Sequence, residues 1–150
     1  MDRLALLLAT VFGAGYAPIA PGTAGSALTA LALWLFPLSD LGLLLILAPV
    51  LVAGTWAAGR AERLLGQKDP GAIVVDEVAG MIVSVLFLPR TLAVLVAGFC
   101  LFRFFDVTKP FPARTSQRFA GGVGVMIDDV IAGLYALVVL LLLRRGVGWP

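Results

Sequence analysis

The charges of this chain are gathered into short islands separated by long apolar runs, and that separation restricts what the chain can fold into. Six of its nine acidic residues, Asp69, Asp76, Glu77, Asp106, Asp128 and Asp129, fall in three of four polar islands. The islands are Pro21–Ser26, Lys68–Glu77, Arg103–Pro110 and Asp128-Asp129. A charged side chain at the centre of a membrane helix costs on the order of 2.5–3.5 kcal/mol. Carboxylates and basic groups gathered against that cost point to a charged ligand or a metal.

Composition sets the class. The chain is 61% hydrophobic and 13% charged, with a mean hydropathy of +1.04, whereas a soluble domain is about half apolar and a quarter charged. We expect an all-α, small polytopic membrane bundle of four to five apolar helices, with the polar motifs clustered at one end. A single domain over residues 1–150 accommodates this length. The alternative is a greasy soluble bundle that oligomerises; the oligomeric state itself is not legible. A net charge of +2 without a basic stripe excludes nucleic acid as a partner. The absence of histidine excludes histidine nucleophiles, histidine triads, histidine-ligated zinc and histidine-ligated haem. Cys100 sits in a continuous apolar run, suited to helix packing rather than to nucleophilic attack.

The apolar runs are Leu4–Ala20, Ser26–Phe36, Leu41–Ala58, Ala72–Leu88, Thr91–Phe105 and Val130–Leu143, with a Pro/Gly/Arg/Ser-rich loop over Lys109–Gly124. Asp2-Arg3 and Leu4–Phe12 resemble the start of a signal peptide, but the island at Pro21–Ser26 follows at once, so no cleavage is expected. Leu4–Ala20 contains Gly13, Gly15 and Pro18 and reads as a half-span or interfacial helix. Several other runs fall short of the roughly 20 residues needed to cross a bilayer. Alternating crossings nevertheless bring all four islands to one face. That face carries Arg60, Arg63, Lys68, Arg103, Lys109, Arg114 and Arg118, and the other Arg90, Arg144 and Arg145. The excess of positive charge makes the first face cytoplasmic.

Two acidic pairs, Asp76-Glu77 and Asp128-Asp129, are expected to open two helices on that face and to form a cage of oxygen ligands. Such a cage suits Mg²⁺, with Mn²⁺ possible, rather than zinc or copper. Asp69 is a possible further ligand. Gly80 and Gly133, each one turn beyond a pair, admit a close neighbour. Arg103, Asp106 and Lys109 follow i, i+3, i+6 spacing, with Pro110 ending the helix near Lys109. Arg103 and Lys109 suit phosphate oxygens, and Asp106 suits metal binding, orientation of Arg103 or attack on phosphorus. Thr23 and Ser26 stand in a small-residue turn before an apolar helix, where free backbone N–H groups bind anions. Each feature also has a structural reading as a helix cap or an i, i+3 ion pair. Arg114 and Arg118 suit either lipid headgroups or plain solvation.

Four runs together resemble the phosphatidylglycerophosphatase A family. They are Pro21-Gly22-Thr23-Ala24-Gly25-Ser26, then Asp69-Pro70 with Val75-Asp76-Glu77-Val78-Ala79-Gly80-Met81, then Phe102–Pro110, then Gly124–Gly133. The resemblance covers residues about 20 to 136. It implies a bacterial, Mg²⁺-dependent, all-helical phosphatase that removes the terminal phosphate of phosphatidylglycerophosphate, giving phosphatidylglycerol and phosphate. The site would face the cytoplasm from a multi-pass protein of the inner membrane. Two other classes compete. A cation or proton transporter would use the same carboxylates, but deep in the bilayer. A CDP-alcohol phosphotransferase would need a single long acidic motif that this chain lacks.

Overall fold

A computed structural model describes residues 1–113 and 119–148, and all regular structure among them is helical. The helices are α1 (Asp2–Ala9), α2 (Pro21–Leu35), α3 (Asp40–Leu65), α4 (Val75–Ser84), α5 (Leu92–Thr108) and α6 (Gly122–Val147), with a 3₁₀ turn at Ala14–Tyr16. Arg114 and Arg118 lie outside the described residues.

Local chemistry sets most of the boundaries. Ser39 caps α3 by accepting from Gly42 N–H at 3.1 Å, and Thr91 caps α5 by accepting from Val94 N–H at 3.3 Å. Gly66 ends α3 and Gly148 ends α6 in the left-handed region, at φ +64° in both cases. Lys109 ends α5 in the left-handed region at φ +44°, just before Pro110, which disfavours right-handed helix at the residue preceding it. Pro21 occupies the first position of α2, where its missing N–H costs nothing.

Three segments differ from the apolar runs read in the sequence. Leu4–Ala20, read as a half-span or interfacial helix, is α-helical only as far as Ala9. The chain then turns through Val11, Phe12 and Gly13, all at positive φ, so α1 is a half-length helix. Ala72–Leu88 yields only the ten residues of α4, because Val85, Leu86 and Leu88 donate to carbonyls three residues back and Phe87 turns left-handed. Pro89 then disfavours helix at Leu88. At the other extreme, α6 begins at Gly122 and not at Asp128, so the second acidic pair lies in the second turn. The reason is packing. A Cβ on Gly122 would stand 1.9 Å from the Thr55 carbonyl oxygen, and only glycine lets α6 start against α3 there.

α4 is the central element, packed against α2, α3, α5 and α6. Its own Met81 is fully buried, as are Phe102, Leu43, Leu88, Leu95 and Leu140. The outer faces are apolar too: Leu31, Trp34, Leu45, Val52, Val96 and Val138 are exposed. Among the described residues, α3 and α6 are long and apolar enough to cross a membrane; α2 and α5, with 15 and 17 residues, are shorter.

The bundle has two unlike ends. At one, Arg90 pairs with Asp40, whose carboxylate also accepts from Phe87 N–H at 3.2 Å, and Arg144 reaches the Phe87 carbonyl at 3.5 Å. The start of α3, the α4–α5 turn and the end of α6 are thereby tied together. The other end gathers the N-termini of α2 and α4 with the C-terminus of α5, and Arg60 there pairs with Asp2 at 2.7 Å.

Candidate metal centre and active site

The crossing of α4 and α6 builds the site. A Cβ on Gly80 would stand 2.3 Å from the Phe102 ring and 2.8 Å from the Asp129 carbonyl oxygen; one on Gly133 would stand 2.4 Å from the Gly80 carbonyl oxygen. The two helices therefore touch backbone to backbone one turn beyond Asp76 and Asp129. That contact holds the acidic residues face to face. Asp76, Glu77 and Asp129 each bring a carboxylate oxygen within 4.8 Å of the others. Asp76 is 6% exposed and Asp129 3%. Asp76 Oδ1, Glu77 Oε2 and Asp129 Oδ2 are buried without a hydrogen-bond partner.

Buried acceptors of this kind normally have partners, and orphaned ones ask for a reason. Three converging hard oxygens fit a divalent cation of the Mg²⁺ or Mn²⁺ kind. Asp128 stands apart from this trio: its carboxylate pairs with Lys109. The two halves of the second acidic pair thus face different partners, as neighbours about 100° apart on a helix must.

Beside the trio runs a line of alternating charge. Arg103 Nη1 lies 3.5 Å from Glu77 Oε1 and 2.7 Å from Asp106 Oδ2. Lys109 Nζ lies 3.5 Å from Asp106 Oδ1 and pairs with Asp128. Asp106 is buried between the two cations and holds both. Burial alone would lower the Lys109 pKa. The hydrogen bond to Asp128 and the charges of Asp128 and Asp106 outweigh that and leave it above the ordinary lysine value.

Asp69 is in an exposed turn at φ +47°, with its N–H donated to Glu62 Oε1 at 2.8 Å. Partial burial of its carboxyl, and then the charge of Asp128, raise its pKa. It lines a cleft of about 330 Å³ with Glu62, Lys68, Phe119, Gly121, Gly124 and Val125 and is not one of the carboxylate trio.

The Pro21–Ser26 island divides. Thr23 lies in the half-buried first turn of α2, which abuts the site. Ser26 is fully buried and donates to the Gly22 carbonyl at 2.8 Å, a bond within its own helix. Gly22, not singled out in the sequence, makes the closest approach. A Cβ there would stand 2.0 Å from Glu77 Oε1 and 3.0 Å from Arg103 Nη1. Its signal was the glycine itself at the start of an apolar run, which a flexible turn explains equally well. Because the clash falls on the end of a side chain, Gly22→Ala is expected to fold while displacing the Glu77 carboxylate. Divalent-cation affinity should fall about 10–100-fold, read by titration calorimetry; unchanged affinity would show that Glu77 is not a ligand.

An all-helical chain with buried carboxylates beside a paired arginine and lysine is equipped to handle phosphate, and known proteins agree that it is a phosphatase. The chain belongs to the phosphatidylglycerophosphatase A family, whose profile matches residues 7–144. It is 42% identical to a Bacteroides thetaiotaomicron protein named putative phosphatidylinositol-3-phosphatase, over 97% of this chain and 96% of that one. It is 39% identical to phosphatidylglycerophosphatase A of Haemophilus influenzae, over 89% of this chain and 84% of that one. With phosphatidylglycerophosphatase A of Escherichia coli the identity is 37%, over 96% and 84%. No solved structure shows significant similarity to the chain. Membership of this family leaves the transporter reading without support.

Proposed function

We propose that this protein hydrolyses the terminal phosphomonoester of phosphatidylglycerophosphate, with Mg²⁺ held by Asp76, Glu77 and Asp129. The observation that carries the reading is the convergence of three carboxylates, each of which has a buried oxygen without a hydrogen-bond partner, beside Arg103 and Lys109. When bound, the cation would neutralise phosphate charge and lower the pKa of a water molecule. Arg103 offers a planar fork to two phosphoryl oxygens and Lys109 a point charge, which stabilise the charge spread over the transferring group. Asp106 positions both cations, and Asp128 positions Lys109. The free N–H groups at the start of α2, with Thr23, help to seat the phosphate. A water oxygen bonds to phosphorus, the phosphorus–oxygen bond to the glycerol breaks, and a proton passes to the departing alkoxide.

The setting we propose is the bacterial inner membrane. The apolar outer faces of α2, α3, α5 and α6 support embedding of the bundle, with α3 and α6 crossing fully and the shorter helices crossing with the help of their polar ends. Arg60, Arg63, Lys68, Arg103 and Lys109 gather at the site end, against Arg90, Arg144 and Arg145 at the other. By the positive-inside rule the site faces the cytoplasm.

The names of the relatives divide over the headgroup, so the test compares both. Purified protein in mixed micelles should release phosphate from phosphatidylglycerophosphate in preference to phosphatidylinositol 3-phosphate, and a chelator should stop it. The reverse preference would move the substrate to an inositol lipid; full activity in chelator would remove the metal. Arg103→Ala should lower kcat by about 10²–10³-fold, measured as phosphate release at saturating substrate.

A further inference from the structure

Two apolar grooves run along opposite sides of α2, and the geometry points to them as seats for the two acyl chains of one phospholipid substrate. The inference rests on the lipid-phosphatase reading above and adds where the tails lie. The larger groove, about 370 Å³, lies between α2 and α3 over a floor of Val78 and Ile82. Val78 directly follows Glu77, so the groove begins beside the carboxylate trio. It ends near Leu38 and Ile46, toward the end of the bundle that holds Asp40. Thr29 is the polar side chain in its lining, and its hydroxyl donates to the Gly25 carbonyl at 2.9 Å, which leaves the wall without an unmet polar group.

The smaller groove, about 190 Å³, lies between α2 and α5. Ala27, Leu31 and Trp34 form one wall and Leu95, Val96 and Phe99 the other. Ala27 is one turn beyond Thr23, and Phe99 is one turn before Arg103, so this groove also begins beside the site. Both grooves thus start within a turn of site residues, share α2 as a wall and run away from the site. The 15 residues of α2 extend about 22 Å, more than the roughly 15 Å of hydrocarbon in one half of a 30 Å core. A headgroup fixed at the trio would hold its own tails at the two groove mouths at high effective concentration, an advantage that unattached lipid lacks.

The test is a selectivity ratio: kcat/KM for the long-chain substrate divided by that for its water-soluble deacylated headgroup. Ala32→Trp in the larger groove and Ala27→Trp in the smaller should each lower the ratio about tenfold. Val138→Trp, on the outer face of α6, should leave it unchanged. A constant ratio in both groove variants overturns the inference. As a readout independent of both turnover and the variants, wild-type protein is irradiated with a phosphomonoester lipid carrying a photoreactive acyl chain. Adducts concentrated on α2 and on Val78 or Phe99 support the seats. Adducts spread over all outer faces show bulk lipid only and overturn them. Adducts in the grooves without hydrolysis of either compound would overturn the assigned reaction and leave the seats standing.

Discussion

Replacement of Asp129 by asparagine is expected to lower kcat by about 10³-fold while raising the melting temperature of the metal-free protein. The two effects have one origin. Asp129 is buried, its Oδ2 has no partner, and it shares a 4.8 Å space with carboxylate oxygens of Asp76 and Glu77. Two unit charges at that distance repel by about 3 kcal/mol at an effective dielectric of 20. Without a cation the trio therefore strains the fold, and an amide of the same shape relieves it. Each kcal/mol gained is worth about 2–4 °C in a domain of this size. With the cation the order inverts: the wild type should gain melting temperature on adding Mg²⁺, and the asparagine variant should gain far less. Thermal melts with and without Mg²⁺, together with phosphate release, check both halves. A variant that is equally active, or equally stabilised by Mg²⁺, would remove Asp129 from the ligand set. Asp76→Asn should behave in the same way.

Gly133→Ala is expected to cost about 3 kcal/mol of stability and to reduce activity well beyond the loss of folded protein. The new methyl would stand 2.4 Å from the Gly80 carbonyl oxygen, a backbone atom that cannot swing aside. The α4–α6 crossing must open, and the acids one turn away must separate. A misplacement of about 1 Å is enough to cost 10²-fold in rate. Gly146→Ala on the same helix meets nothing within 4 Å and should be neutral or stabilising by about 0.5–1 kcal/mol. Melting temperature and phosphate release per folded molecule, measured on the pair, separate a crowded crossing from a general intolerance of α6. Normal activity in Gly133→Ala would show that the crossing does not set the geometry of the trio.

The acidic residues were legible because carboxylates in an apolar chain are conspicuous, and the spacing from Arg103 to Lys109 was legible because Pro110 fixes the helix end. The division of labour within Asp128-Asp129 was not. Which of two neighbours faces a metal and which faces Lys109 depends on the rotation of α6, set by its contact with α3 at Gly122 and with α4 at Gly133. The glycines of the Gly121–Gly124 run read as loop because flexibility and close packing leave the same mark in a sequence. The same ambiguity hid Gly22. The length of α4 was overread because valine and leucine runs look alike whether they continue a helix or tighten into turns; the Asp40 carboxylate, from outside the segment, accepts from the N–H of the left-handed Phe87 and helps to fix the turn.

Helix α2 contains no ionisable side chain, yet its first turn presses on Glu77 and Arg103. Beyond that turn its attachment to the bundle is apolar and answers to whatever competes for apolar surface. Detergent identity and bilayer thickness are therefore variables that should govern how firmly α2 packs beside the acids, and the kinetic constants of this protein will be properties of the protein and its solubilising medium together.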